Sequence, residues 1–479
     1  MDLTGKNVCV CGMARSGIAA AKLAKKAGAA VTVTDSKSEE KLKAEHEILS
    51  SLNITALCGK NPDDFLLSNT DLMIISPGLP YNLPFIQSAL NKKITVLPEI
   101  EFASLFCEAK IAAITGTNGK TTTTALVGEI MKKLHPKSMA LGNIGTAFSE
   151  YAQDIPGGAF AVLEMSSFQL EAAQNFKPDV AAVIQVTPDH LDRHKTMENY
   201  TKIKAKIFEN QTETDFAVLN YDDEACRKMA ANIRSKVIFH SAKRILDEGA
   251  LLNERKLYAG TSNEGGIYGG IYLEGTKITA VWGGKKIYIT ETGNLKIPGG
   301  HNTENVLSAA SISLALGAGA EVIREAAEAF AGVPHRIELV RKLGGVKYYN
   351  DSKATNPDSA IKGLLAMSGK TVLICGGYDK NADFSEWVKL FNGRVKKLVV
   401  LGETAAKIIK TCEDFNFRSY IKVNSLEEAV NTAKKEAGEG ENVLLSPACA
   451  SWDSFKDYEQ RGEMFKEYVM ALAGNFKML

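Results

Sequence analysis

The chain lacks any long apolar run. No stretch approaches the ~20 consecutive apolar residues of a bilayer-spanning helix, so none is expected. It also lacks net charge. Lys and Arg number 57 against 56 Asp and Glu, a balance of +1, which gives no field to attract nucleic acid or an acidic membrane surface. The opening Met1-Asp2-Leu3-Thr4-Gly5-Lys6 has no apolar stretch of the secretory kind. The eight cysteines are scattered, with no Cys-x-x-Cys pair. A reduced, cytoplasmic protein is the simplest reading. Cys9 and Cys11 alternate on an apolar run and read as core rather than as ligands. No internal repeat or low-complexity linker is present.

What is present is alternation of strand-like and helix-like segments. The 479 residues suit about three domains. Residues 8–11, 30–34 and 71–76 read as strands and 17–27 as a helix, a parallel doubly wound pattern ending near Leu97-Pro98. Residues 159–165, 180–187 and 216–220 read as further strands and 199–210 as a Lys-rich helix. Residues 243–298 turn Gly-rich with short β-prone runs, and read as a small antiparallel appendage. Helices at 301–317 and 321–331 precede a boundary at Val333-Pro334. Strands at 346–350, 371–375, 397–401 and 442–446 then alternate with helices. The expected architecture is α/β: a Rossmann-like domain at 1–98, a central phosphate-loop domain at 99–332 with a mostly parallel sheet, and a Rossmann-like domain at 333–479.

The most informative segment is Gly116-Thr117-Asn118-Gly119-Lys120-Thr121-Thr122. An apolar strand runs into a glycine turn, then into Lys-Thr and a helix. Such a turn converges backbone N–H groups on phosphate oxygens. Lys120 reaches the terminal phosphates and the Thr121 hydroxyl suits Mg²⁺. The loop is shortened, with Ile114 where the eight-residue pattern has glycine. Glu164 ends the apolar run before Met165-Ser166-Ser167, where a second Mg²⁺ contact is expected. His190, in Thr187-Pro188-Asp189-His190, follows another strand and suits a metal or a substrate. Lys202, Lys204 and Lys206 lie on the next helix, and position alone does not choose among them.

Gly12-Met13-Ala14-Arg15-Ser16-Gly17 follows the first strand, and Asp35 ends the second. Ala14 stands where a dinucleotide fingerprint has its middle glycine, which weakens the case for NAD or FAD but leaves a diphosphate on the helix N-terminus open. In the last third, chemistry-bearing segments follow successive strands: Asn350-Asp351-Ser352-Lys353-Ala354-Thr355-Asn356, Gly376-Gly377-Tyr378-Asp379-Lys380 and Ser446-Pro447-Ala448-Cys449-Ala450-Ser451. Asp351 suits a ribose and Arg336 a phosphate, while Lys353, Lys380, Thr355 and Ser451 suit a small anion.

Taken together, these segments resemble the muramoyl (Mur) ligase family over nearly the whole chain. The resemblance rests on the phosphate loop, Gly142-Asn143-Ile144-Gly145, Glu164 through Leu170, Asp189 through Arg193, His301-Asn302, Pro334-His335-Arg336 and the 350–356 and 446–451 segments. The last two point to the D-glutamate-adding branch. The resemblance implies an ATP-dependent amide ligase that adds D-glutamate to UDP-N-acetylmuramoyl-L-alanine through an acyl phosphate. It implies ATP and two Mg²⁺ ions as cofactors, and a monomer. The UDP-substrate would be held by Arg15, Ser16, Asp35, Ser36, Lys37, Ser76, Gly78, Asn143 and His190. ATP would meet Gly116, Thr117, Asn118, Gly119, Lys120, Thr121, Thr122, Asn305, Arg336 and Asp351. D-glutamate would meet Lys353, Thr355, Lys380, Ser451 and Tyr458. Mg²⁺ would be held by Thr121, Glu164, His190 and Lys204, the last as a carbamate, an oxygen ligand suited to a hard cation. Lys120, His190 and Lys204 form the implied catalytic set. Ala14, Trp452 and Tyr458 depart from the family's usual glycine, aliphatic residue and phenylalanine.

Three other readings stay open at this point. One is a different ligase of the same type, including the folate polyglutamating enzymes. Another is a nucleotide-hydrolysing switch, and the third an oxidoreductase built on the first turn.

Overall fold

The computed structural model describes residues 1–143, 145–258, 265–379 and 382–473. The chain divides into two compact units, Met1–Asn294 with Glu304–Glu328, and Leu295–Thr303 with Ala329–Leu479. Among the described residues no helix is long and apolar enough to cross a membrane.

The first unit contains two sheets. In the first, β1 (Asn7–Cys11), β2 (Ala30–Asp35), β3 (Thr55–Cys58), β4 (Leu72–Ile75) and β5 (Thr95–Pro98) run parallel in the order β3-β2-β1-β4-β5. Side chains alternate across a strand, so β1 supplies two cores. Val8 and Val10 pack on one face. Cys9 and Cys11 pack on the other with Met73 and Ile75, which is why so apolar a run carries two free thiols.

The second sheet holds β6 (Lys110–Thr115), β7 (Met139–Gly142), β8 (Phe160–Glu164), β9 (Val180–Val183), β10 (Phe216–Asn220), β11 (Lys236–Ser241), β12 (Ile267–Glu274), β13 (Lys277–Trp282) and β14 (Lys285–Glu291). Its order is β14-β13-β12-β11-β10-β9-β6-β8-β7. The last three strands are antiparallel to one another, but β12 pairs in parallel with β11. The Gly-rich region therefore extends the central sheet rather than standing apart from it. Gly283 and Gly284 make the β13–β14 turn at φ +55° and +75°, the left-handed pair that a two-residue hairpin requires. The helix Glu248–Leu257, capped by Asp247, was not anticipated in this region.

Two buried carboxylates join the two sheets' layers. Glu99 accepts from the Ser149 backbone N–H at 2.8 Å. Glu101 accepts from Gln174 N–H at 2.8 Å and Asn175 N–H at 2.9 Å.

The second unit carries β15 (Glu338–Leu343), β16 (Val346–Asn350), β17 (Thr371–Cys375), β18 (Val395–Val400), β19 (Tyr420–Lys422) and β20 (Asn442–Leu445), ordered β15-β16-β20-β17-β18-β19. All pairs are parallel except the β15 edge. Separate apolar clusters, one around Trp387 and Phe391, the other around Phe465 and Val469, cover its two faces.

Candidate active site

Strands β9, β6, β8 and β7 are neighbours, so the segments after them meet at one edge. These are residues 184–194, the phosphate loop, Glu164 with Ser166–Ser167, and Asn143. Ligands favour this edge of a parallel sheet.

The loop's two glycines take backbone conformations that side chains disfavour. Gly116 sits at φ +153°, where an added Cβ would meet Ile184 Cγ1 at 2.6 Å, and Gly119 at φ +83°, where it would meet Asn305 Oδ1 at 2.2 Å. Asn305, on the helix Gly300–Ala315, is thereby packed against the loop. Thr117 Oγ1 donates to Thr187 O and accepts from Thr187 N–H, each at 3.0 Å. Thr117 N–H donates to Gln185 O at 2.8 Å. These bonds explain why β9 stops at Val183 rather than at residue 187: the chain leaves the sheet to brace the loop. Asn118 and Lys120 are half-buried, and Thr121 and Thr122 are buried in the first turn of the helix Lys120–Leu134.

Two lysines converge on one carbonyl. Lys120 Nζ donates to Gly116 O and Thr117 O, both at 2.9 Å. Lys204 Nζ donates to the same Gly116 O at 2.8 Å. Lys204 is only 1% exposed, and its ammonium sits 4.5 Å from the Tyr200 ring centroid. Burial first, and the Lys120 charge second, hold its pKa well below the ordinary lysine value. Its amine is therefore the readily deprotonated one, whereas Lys202 is exposed and Lys206 half-buried.

Glu164 is 3% exposed. Its Oε1 accepts from Asn143 Nδ2 at 2.8 Å, while Oε2 is buried with no partner among the described residues. His190 takes the left-handed conformation at φ +52° and caps a short helix, Leu191–His194. Its ring lies 4.9 Å from that of Phe168 and 3.5 Å from Asp189 Oδ2. Sequence reasoning did not single out His194. It is buried, bonds Ser167 Oγ through Nε2 at 2.9 Å, and stacks on Tyr200 with ring centroids 5.2 Å apart. It thus ties the segment after Glu164 to the helix Met197–Ala205 that carries Lys204. A cavity of 880 Å³ borders the outer side of that helix near Lys202 and Met229, and no residue implicated in substrate binding lines it.

At the first sheet, β2, β1 and β4 are adjacent, which brings together the turns bearing Arg15-Ser16, Asp35-Ser36-Lys37 and Ser76 to Gly78. Gly17 must be glycine, because a Cβ there would lie 1.8 Å from Gly12 O. Ala14 has φ −75° and ψ 178°, ordinary extended backbone, so this turn needs no glycine at that position. The Asp35 carboxylate accepts from Met13 N–H and Lys37 N–H at 2.9 Å each. It braces two of the turns against each other. Ser76 Oγ is buried with no partner among the described residues.

In the second unit, the segments after β16, β20 and β17 lie side by side. Asp351 is buried, accepting from Ser446 Oγ at 2.8 Å and Ile337 N–H at 3.3 Å. Burial raises its pKa to about 7. Arg336, on the adjoining turn, has a buried Nε with no partner among the described residues. Lys353 Nζ lies 5.4 Å from the Tyr458 ring centroid. Thr355 is half-buried and Ser451 buried. Trp452 and Tyr378 are exposed, with rings 5.6 Å apart. Lys380 lies outside the described residues.

The Asp351 environment has a measurable consequence. Its folded pKa lies above the unfolded value of 3.8. Its contribution to stability is complete below that value and is lost as pH rises through about 7. Asp351→Asn should flatten the fall in urea midpoint over this range; an unchanged slope would refute the assignment.

A phosphate loop on a parallel sheet, with an acid at the next strand end and two further αβ sheets, defines a multidomain nucleotide-binding α/β protein. Residues 6–98 match the MurD-like N-terminal domain of Mur ligases, 114–313 the Mur ligase middle domain, and 335–449 the Mur ligase glutamate ligase domain. The UDP-N-acetylmuramoylalanine–D-glutamate ligase of Alkaliphilus oremlandii is 43% identical over 473 residues, covering 98% of this chain and 100% of that one. That of Thermoanaerobacter pseudethanolicus is 44% identical over 474 residues, with the same coverage. Among solved structures, the UDP-N-acetylmuramate–alanine ligase of Thermotoga maritima shares the fold with a TM-score of 0.57 at 20% identity, covering 97% of this chain and 99% of that one. The chain belongs to the Mur ligase family.

Proposed function

We propose that the chain is an ATP-dependent ligase that joins D-glutamate to UDP-N-acetylmuramoyl-L-alanine in peptidoglycan precursor synthesis. The observation that carries this reading is identity of 43–44% along essentially the whole chain with D-glutamate-adding ligases. The site chemistry supports it. A phosphate loop and a cation site suit an ATP-using ligase, which needs no Ser-His-Asp nucleophile.

The donor set fits Mg²⁺. Such an ion takes one or two carboxylates and completes its shell with phosphate and water. The buried, unpartnered Glu164 Oε2 is the oxygen such an ion would satisfy. Glu164, His190, Thr121 and a carbamate on Lys204 would be shared between two such ions. The neutral amine that burial favours at Lys204 is the form that reacts with CO₂. Bound Mg²⁺ would supply positive charge to the triphosphate.

The rest of the work falls to the chain. The loop N–H groups and Lys120 would hold the β- and γ-phosphates, with Asn305 at the loop's flank and Arg336 and Asp351 also assigned to ATP. Arg15, Ser16, Asp35, Ser36, Lys37, Ser76, Gly78, Asn143 and His190 would orient the UDP-substrate. Its terminal carboxylate oxygen attacks the γ-phosphorus and ADP leaves. The D-glutamate amine, positioned by Lys353, Thr355, Lys380, Ser451 and Tyr458, then attacks the acyl carbon. The carbon–oxygen bond to phosphate breaks, inorganic phosphate leaves, and the nitrogen gives up one proton while keeping the other as the amide N–H. Positioning and charge neutralisation account for the acceleration. We place the enzyme in the cytoplasm as a monomer, a state that sedimentation checks.

Substrate carrying ¹⁸O in its carboxylate should deliver label to released phosphate when D-glutamate and ATP are supplied. L-Glutamate, L-alanine or a folate acceptor should not support release. Unlabelled phosphate, or release that ignores both co-substrates, would refute the reading, the latter in favour of a nucleotide-hydrolysing switch.

A further inference from the structure

Arg461 occupies an unusual place for a guanidinium. It lies on the helix Tyr458–Ala471, is 2% exposed, and has no ion pair within 4.0 Å among the described residues. Its partners are a hydroxyl and carbonyls. Nε donates to Ser352 Oγ at 3.0 Å and Nη2 to Ser352 O at 2.8 Å. Nη2 also donates to Cys449 O at 3.2 Å, and Nη1 to Ala450 O at 3.3 Å. Burying a charge without a counter-ion is costly. The arrangement gains geometry instead, because a planar fork with five donors fixes several acceptors at once.

Those acceptors are distributed tellingly. Ser352 precedes Lys353, and Ala450 precedes Ser451. Ser352 Oγ donates onward to Tyr458 O at 2.8 Å, the first residue of the helix that carries Arg461. Ala450 O also accepts from Tyr378 N–H at 2.9 Å, which adds the segment after β17. Gly377 must lack a side chain here, since a Cβ would meet Ala450 O at 2.2 Å and Arg461 Nη1 at 3.3 Å. One guanidinium thus bonds the immediate neighbours of Lys353 and Ser451 and, through one hydroxyl, the backbone of Tyr458.

We propose that Arg461, with Ser352, is a positioning residue that sets the spacing of the three segments forming the amino-acid site. The inference rests on the assignment of Lys353, Ser451 and Tyr458 to the incoming amino acid. Arg461 touches no substrate. It acts by holding the groups that do.

The test compares Arg461→Lys and Ser352→Ala with wild type in steady-state ligation, varying each of the three substrates in turn and recording urea midpoints. Lysine keeps the charge but cannot reach all four acceptors. Arg461→Lys should raise KM for the amino acid about tenfold, with KM for ATP and for the UDP-substrate within about twofold, and Ser352→Ala should shift the same constant in the same direction by less. Equal shifts in all three constants, or a fall in kcat that merely follows the folded fraction, would overturn the proposal. Lys353→Ala and Ser451→Ala serve as references. If they leave the amino-acid KM unchanged, the site assignment fails. If they raise it and Arg461→Lys does not, the positioning role alone fails.

Discussion

Replacing Lys120 by alanine is expected to remove ligation while leaving the fold intact. The fold should survive because Lys120 is half-buried and its two bonds go to carbonyls of its own loop, each worth roughly 1 kcal/mol net. Activity should not survive. Carboxylate and triphosphate repel, and on the proposed reading the loop ammonium screens the two from each other. Loss of one such donor costs roughly 10²–10³-fold in kcat. A second effect adds to this. The Lys120 charge is the second cause, after burial, of the lowered Lys204 pKa. Without Lys120 a larger share of Lys204 stays protonated, and carbamate formation suffers. Lys120→Arg should fail nearly as badly, because a planar fork does not replace a compact ammonium between two loop carbonyls. Calorimetric ATP binding, measured beside kcat, separates the two outcomes: binding should weaken modestly while turnover collapses. Near wild-type turnover in the alanine variant would show that the loop's backbone alone handles the phosphates.

Much of this was legible in the sequence, for identifiable reasons. The phosphate loop announces itself because the backbone at 116 and 119 takes φ +153° and +83°, a conformation that favours glycine. The central strands were legible because burial on both faces makes them continuously apolar, as in Ala112 to Ile114 or Ala181 to Val183. Most edge strands were not. β15 (Glu338–Leu343) is half-exposed and carries no such run, and β3 is only partly buried. The antiparallel strands were seen as β-structure, but sequence cannot say that β12 finds β11, a pairing across residues 242–266. Asp35 shows a different limit. It was singled out as a substrate contact, and its carboxylate is found bracing the Met13 and Lys37 turns. Strand-end acids do both, and sequence does not distinguish them.

Two buried cations left a signal that went unused. Arg461 stands four residues before Phe465 and eight before Val469, all buried on one face of their helix. A charged residue in register with an apolar stripe must be paired or hydrogen-bonded, so its register alone marks it for attention. Lys204 obeys the same rule. Tyr200, Ile203, Lys204 and Ile207 are buried at spacings of three and four, while Lys202 and Lys206 fall off that stripe. Three lysines that look alike in composition are separated by helical period.

That register gives the second large prediction. Lys204→Ala should lower kcat by at least about 10²-fold, whereas Lys202→Ala, at an exposed position, should stay near wild type. The reasoning is chemical. A neutral amine adds CO₂ and a protonated one does not, and burial with the Lys120 charge depresses the Lys204 pKa. The direction with pH follows. Falling pH protonates the amine once it passes the lowered pKa, so carbamate and activity should both decline on the acid side, and added bicarbonate should oppose the decline in wild type. In Lys204→Ala the lost oxygen ligand leaves space for a short carboxylic acid, and acetate or formate should restore part of the turnover without restoring any response to bicarbonate. A structural role for the amine, through its 2.8 Å bond to Gly116 O, makes the opposite forecast, since a carboxylic acid cannot donate that bond. Full activity in Lys204→Ala would remove the residue from the mechanism. Loss of activity that no acid relieves, in a wild type indifferent to bicarbonate, would leave Lys204 as a brace for the loop and Glu164 without its oxygen partner.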